Sequence, residues 1–131
     1  MTATHSIKTK ERICFTDITP LVQKTVNDSA VKDGTALVFI PHTTAGVTIN
    51  ENGDPDVLRD LNAFLAKTVP NENFLHFEGN SDAHVKSLLT GCSLSLIISD
   101  NKLVLGTWQS VYFAEYDGPR TRKIYIKIME G

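Results

Sequence analysis

A chain of 131 residues with 41% hydrophobic side chains is long enough to bury one core, so a single domain spanning 1–131 is expected. A formal net charge of -2 and a pI near 6.0 exclude the strongly basic surface that broad binding to nucleic acid or anionic membrane requires. A small ligand or a protein partner suits this balance better.

The first ten residues lack the apolar segment of a signal peptide, and no run approaches the roughly 18 apolar residues of a membrane span. A soluble, cytoplasmic protein is the expectation. Ile7, then Ile13 and Phe15, suit two strands joined near Lys10 and Glu11. Cys14 and Cys92 are far apart and outside any CxxC spacing, so two reduced, buried thiols are expected. Thr19 before Pro20 reads as an N-cap followed by proline at the first helical position, leading a helix whose Val22, Val26 and Ala30 share a face. Gly34 ends the connection, and the apolar run Thr35 to Ile40 predicts a central strand buried on both faces, with Val47 to Asn50 as its hairpin partner.

Asp54 and Pro55 repeat the cap-then-proline signal. Val57, Leu58, Leu61, Phe64 and Leu65 follow at helical spacing, predicting a second helix that buries this stripe and stops before Pro70. Ser81 is the expected cap of a shorter third helix, closed by Gly91. From Ser93 onward the period changes to two, through Leu94, Leu96 and Ile98, then Leu103 and Leu105, Val111 and Phe113, and Ile124, Ile126 and Ile128. That pattern predicts an antiparallel meander. Together the elements indicate an α+β fold, an antiparallel β-sandwich with two to three helices packed on it.

No GxGxxG follows a strand, and GxxxxGK[ST], HExxH and GxSxG are absent, which removes nucleotide-fold and serine-hydrolase chemistry. Polar residues gather instead in three clusters at element ends. In Pro41-His42-Thr43-Thr44, His42 leaves a buried strand, where it either bonds to backbone or faces a cleft, and Thr43 and Thr44 offer hydroxyls and backbone donors to an anion. Asp54 is assigned to capping, whereas Glu51 lies outside the helix and is the better candidate base or ligand support. In the second cluster, His76 precedes Asn80 and His84, which share a helix face if Asn80 enters the first turn, where free N–H groups favour an anion. The third joins Gly106-Thr107-Trp108-Gln109 to Asp117-Gly118-Pro119-Arg120, and a guanidinium on a rigid turn suits Arg120 to bidentate phosphate recognition. His42, His76 and His84 are the candidate metal ligands, since three imidazoles leave a fourth position open on zinc.

With these clusters in view the chain resembles the YjbQ family, described as secondary thiamine-phosphate synthases. The matching stretches are HTTAGVTINENGDPDV at 42–57, HFEGNSDAHVKSLLTG at 76–91 and LGTWQSVYFAEYDGPR at 105–120, within a likeness that runs from about Ile13 to Ile128. The resemblance implies a compact α+β sandwich assembled as a homotrimer, with shared positions at His42, His76, His84, Glu51, Asn80, Gln109 and Asp117.

The function this implies joins an aminopyrimidine diphosphate to a thiazole phosphate. Glu51, His84 and Gln109 would be catalytic, Thr43, Thr44, Asn80 and Arg120 would bind the phosphorylated substrate, and His42, His76 and His84 would hold a divalent metal. Three imidazoles favour zinc, although a diphosphate substrate ordinarily recruits magnesium. The alternatives are a zinc-dependent hydrolase of a small substrate and a non-catalytic trimeric protein that binds a metal or metabolite.

Overall fold

The computed structural model describes residues 1–131. Strands β1 (Thr2–Lys8), β2 (Cys14–Asp17), β3 (Gly34–Phe39), β4 (Ala45–Glu51), β5 (Ser93–Ser99), β6 (Lys102–Leu103), β7 (Gln109–Glu115) and β8 (Thr121–Glu130) are joined by helices α1 (Thr19–Ser29), α2 (Pro55–Thr68) and α3 (Ser81–Thr90). A five-stranded antiparallel sheet has the order β1-β8-β3-β5-β6, and a three-stranded one the order β2-β7-β4. The expected α+β sandwich is what forms.

Alternation explains how each strand faces the core. Along β8, Arg122, Ile124, Ile126 and Ile128 are buried while Thr121, Lys123 and Lys127 are exposed, the period of two that lines one face of a sheet. Those isoleucines meet Val38, Leu96 and Ile98 of the larger sheet, Val47, Val111 and Phe113 of the smaller one, and Val22 and Val26 of α1 in one cluster. A second cluster of Ala83, Ala114 and Tyr116, with Phe15 and Leu65 against it, joins the outer face of the small sheet to the other two helices. β7 therefore packs on both faces, which explains its almost unbroken burial.

Four expectations are corrected. β3 and β4 are not a hairpin: β3 lies between β8 and β5, and β4 pairs with β7 in the other sheet. The C-terminal strands are not a simple meander, because β7 crosses to the small sheet before β8 returns to the large one. Ile18 and Asn80, rather than Thr19 and Ser81, occupy the cap positions of α1 and α3; the Thr19 hydroxyl instead accepts from the Val111 N–H at 2.8 Å. Of the two free cysteines, Cys92 is exposed and Cys14 half-buried, so neither is a core thiol.

The Asp54 cap is present, its carboxylate accepting from the Asp56 N–H at 2.9 Å. Yet α2 has no buried residue. Its apolar stripe leans on the outer face of the small sheet and leaves a groove of about 210 Å³ among Leu58, Leu61, Phe64 and Leu65. Periodicity identified the apolar face, but no second surface closes over it.

Truncating Ile126 to alanine at the centre of the core should cost about 2–5 kcal/mol in urea unfolding. Ile97→Ala, on the exposed face of the same sheet, should stay within about 0.5 kcal/mol.

Candidate functional site

β8 enters the core with a charge, not an isoleucine. The Arg122 guanidinium is buried and meets Glu115 of β7, which is fully buried: Nε donates to Oε1 at 2.8 Å, and Nη2 makes a short bond to Oε2. Nη2 also donates to the Thr44 hydroxyl at 2.9 Å. Glu115 accepts further from the Thr9 hydroxyl at 2.7 Å and from the N–H groups of Tyr116 and Asp117 at 3.1 and 3.0 Å. Burial by itself would raise this carboxyl, but the guanidinium and those donors hold it below its ordinary 4.5. Nη1 of Arg122 has no partner within the chain, and Arg122 lines a cleft of about 560 Å³.

His42, Thr43, Thr44, Glu78, Asn80, His84 and Arg120 line the same cleft, with Phe39, Ile40, Pro41 and Cys92 completing it. Three elements bring them together. The β3–β4 connection carries His42 to Thr44, the start of α3 carries Asn80 and His84, and the β7–β8 turn carries Arg120.

That turn is rigid for a steric reason. A Cβ on Gly118 would lie 2.2 Å from the Glu11 carbonyl and 2.8 Å from the Thr9 hydroxyl, so only glycine fits. Asp117 organises the rim: its carboxylate accepts from the Asn80 amide at 3.0 Å and from Arg120 Nη2 at 2.8 Å, and its carbonyl from Arg120 Nε at 2.7 Å. Asn80 consequently does not cap α3 with its side chain, and its buried Oδ1 has no partner in the chain. Turning the amide over would point oxygen at the Asp117 carboxylate, so the orientation is chemically determined.

A second buried network fastens α3. Arg12 grips Asp82 with both terminal nitrogens at 3.2 and 3.0 Å, and buried Lys86 donates to the same carboxylate at 3.2 Å. Burial opposes ionisation of Asp82, but these two cations hold it below the usual carboxylate range.

The histidines differ in what they can still do. His42 Nε2 accepts the Lys123 N–H at 2.9 Å, which leaves the proton of the neutral ring on Nδ1. Burial, and then the charge of Arg122, keep this ring below its ordinary 6.5. The rings of His76 and His84 lie 5.9 Å apart, inclined at 66°. Zinc–nitrogen bonds of ~2.0–2.1 Å would put two imidazole centres on one ion roughly 5–6 Å apart, so this pair has suitable spacing. No group of three His, Cys, Asp or Glu side chains is arranged to hold a metal ion. The expected three-imidazole centre is thus a pair plus a histidine committed to backbone.

Two expected catalytic residues lie elsewhere. Glu51 and Gln109 face each other at the far end of the β4–β7 ladder from Thr44, roughly 20 Å away at strand rise. Both serve local structure: Glu51 Oε2 accepts from the Gly53 N–H at 2.7 Å, and Gln109 Oε1 from the Gly106 N–H at 2.8 Å. Within one protomer neither reaches the cleft. The residues overlooked from sequence are Glu115 and Arg122, and their signal was a charge inside an otherwise apolar strand pattern.

The family model for UPF0047 protein YjbQ-like matches residues 3–131. The chain belongs to the YjbQ family. It is 55% identical over 126 residues to a UPF0047 protein of Methanocaldococcus jannaschii, covering 95% of this chain and 91% of that one. It is 47% identical to the UPF0047 protein YugU of Bacillus subtilis, covering 98% and 99%. A YjbQ/UPF0047 crystal structure from Clostridium acetobutylicum superposes with a TM-score of 0.95 at 54% identity, over 97% of this chain and 99% of that one. A Sulfolobus solfataricus structure, described as a YbjQ-like protein of unknown function, does so with a TM-score of 0.95 at 27% identity, over 100% and 97%. These comparisons overturn the synthase expectation: the relatives carry a family designation or are described as of unknown function, and none is described as making thiamine phosphate. No helix is long and apolar enough to cross a membrane.

A carboxylate held below its unfolded-state value stabilises the fold above that value, and this contribution disappears as pH falls through the lower, folded-state value. Glu115→Gln leaves the Arg122 charge buried without its counterion, which should cost about 3–5 kcal/mol near neutral pH. In urea unfolding the gap to wild type should then shrink as pH drops below 4.5. A gap that is constant from neutral to strongly acid solution contradicts this account.

Proposed function

We propose that the cleft binds a small phosphorylated metabolite. The observation that carries this is the meeting of two guanidinium groups, Arg120 and Arg122, the second with an unpaired Nη1, around one polar recess beside Thr43, Thr44 and the first turn of α3. The Nε and Nη2 of both guanidinium groups are taken by Asp117 and Glu115, so their Nη1 groups are what would meet phosphate oxygens, and a donor held in place needs no reorganisation to receive them. Asn80 donates its amide to Asp117, which in turn holds Arg120 at the rim of the recess.

A divalent ion, zinc foremost, belongs to the same proposal. His76 and His84 would hold it, the ligand's own oxygens would complete its shell, and the ion would supply charge neutralisation for the bound phosphate. The proposed assembly is a homotrimer, favoured by the large apolar side chains left uncovered on α2 and α3.

Calorimetric titration with inorganic phosphate tests the binding site. Arg120→Ala should weaken uptake about tenfold or more, the worth of one charge-assisted bond, whereas Glu51→Ala should leave it unchanged. Equal affinity of Arg120→Ala and wild type would defeat the proposal. Elemental analysis addresses the ion: His84→Ala should abolish zinc uptake, and wild type that takes up no zinc removes the metal from the account.

A further inference from the structure

The overall charge of -2 conceals a segregation of sign. Residues directly opposite each other in an antiparallel ladder point to the same side, so the register of the large sheet fixes which side chains face away from the core. Lys8 of β1, Lys123 and Lys127 of β8 and Lys102 of β6 all stand on that outer face and are exposed. No aspartate or glutamate does, although the chain holds 15 acidic residues. Glu130, which ends β8, has the parity of the core-facing isoleucines. Asp56 and Asp60 lie on α2, against the opposite side of the sandwich.

A sheet face that merely meets water mixes both signs, and opposite charges placed across strands attract. Here the lysines face uncharged neighbours instead: Thr121 lies across from Lys8, Ser6 from Lys123, Thr2 and Leu37 from Lys127, and Ser99 from Lys102. None of the four makes an ion pair, whereas Lys24, Arg59 and Arg120 on other surfaces each have one. The face is also aromatic. Phe39 and Tyr125 are direct cross-strand partners with ring centres 6.5 Å apart, and Phe39 is 41% exposed. Lys123 and Lys127 stand two residues to either side of Tyr125, about 7 Å up and down the strand. Phe39 also lines the cleft, so face and cleft are continuous.

We infer that the outer face of the five-stranded sheet binds a single-stranded nucleic acid. Bases stack on Phe39 and Tyr125, and the lysines meet the phosphates that join them. A duplex is a poorer match, because its bases already stack on one another. So is an anionic membrane: Leu37 and Tyr125, at the centre of the face, are half-buried, which suits a flat ring laid over them better than insertion among acyl chains. The low overall charge makes this binding modest and salt-sensitive rather than broad. The inference is independent of the ligand proposed for the cleft.

Fluorescence anisotropy with a labelled oligothymidylate of about twelve nucleotides tests this. With the lysines at phosphates, affinity should fall about 50-fold between about 50 and 200 mM salt, and Lys123→Gln with Lys127→Gln should reduce that fall to about sevenfold. Lys24→Gln with Lys67→Gln makes the same change of net charge on two helices and should leave the wild-type fall intact. Tyr125→Leu keeps an apolar side chain at a half-buried position and should bind about tenfold more weakly. A duplex of the same length should be weaker by about tenfold or more. No binding of the single strand at the lower salt overturns the inference. So does a Lys123→Gln, Lys127→Gln protein, folded by circular dichroism, that keeps the wild-type salt dependence, or a Tyr125→Leu protein with wild-type affinity. Equal binding of duplex and single strand overturns it too, as do phosphatidylserine vesicles held more tightly than the oligonucleotide through the same lysines, which would make the face a membrane surface.

Discussion

The buried pair between Glu115 and Arg122 is the constraint on which this molecule's functional end depends. Glu115 ends a strand of the small sheet and Arg122 begins a strand of the large one, so their bond closes the sandwich where the β7–β8 turn leaves it. Thr9 and Thr44 approach from the two neighbouring segments and satisfy the remaining lone pairs and protons. Burying two charges is costly, and their mutual attraction offsets that cost when every polar atom is bonded. Here Nη1 of Arg122 is left without a partner, and Arg122 lines the cleft. The same interaction that closes the core thereby positions a cation at the floor of the candidate site.

The site lies on the boundary between a strongly and a weakly held part of the chain. Arg12, Asp82 and Lys86 anchor the base of α3, and Asp117 links Arg120 to Asn80, so the wall that presents guanidinium and amide groups is preorganised. Preorganised dipoles bind an anion without first ordering themselves. Glu78 reaches the cleft from the connection between α2 and α3, on which Leu75 and Phe77 are exposed.

Family membership carries the fold very far. A neighbour at 27% identity retains a TM-score of 0.95, as expected when the interior is specified by volume and alternation rather than by particular residues. It does not carry an activity, since chemistry resides in site geometry rather than in the scaffold. The separation of Glu51 and Gln109 from the histidines shows this concretely: Glu51 shares a motif with His42, which just precedes β4, yet it ends that strand, and Gln109 pairs with it there from β7.

Local signals determined much by themselves. The Asp54 cap and Pro55 start a helix because a carboxylate and a fixed φ satisfy the first turn wherever they occur, and the alternation of Ile124, Ile126 and Ile128 defines a core-facing strand by the geometry of the pleat. The proximity of His76 to His84 was likewise within reach, since few residues separate them. Tertiary structure alone decided that β7 lies between β2 and β4, that β3 pairs with β8 instead of β4, and that the apolar stripe of α2 finds half a partner surface. It also committed His42 to a backbone N–H and brought Arg122 to Glu115. Caps and periodicity are written in neighbouring residues, whereas strand order and charge pairing join distant ones, settled by which surfaces fit once the whole core closes.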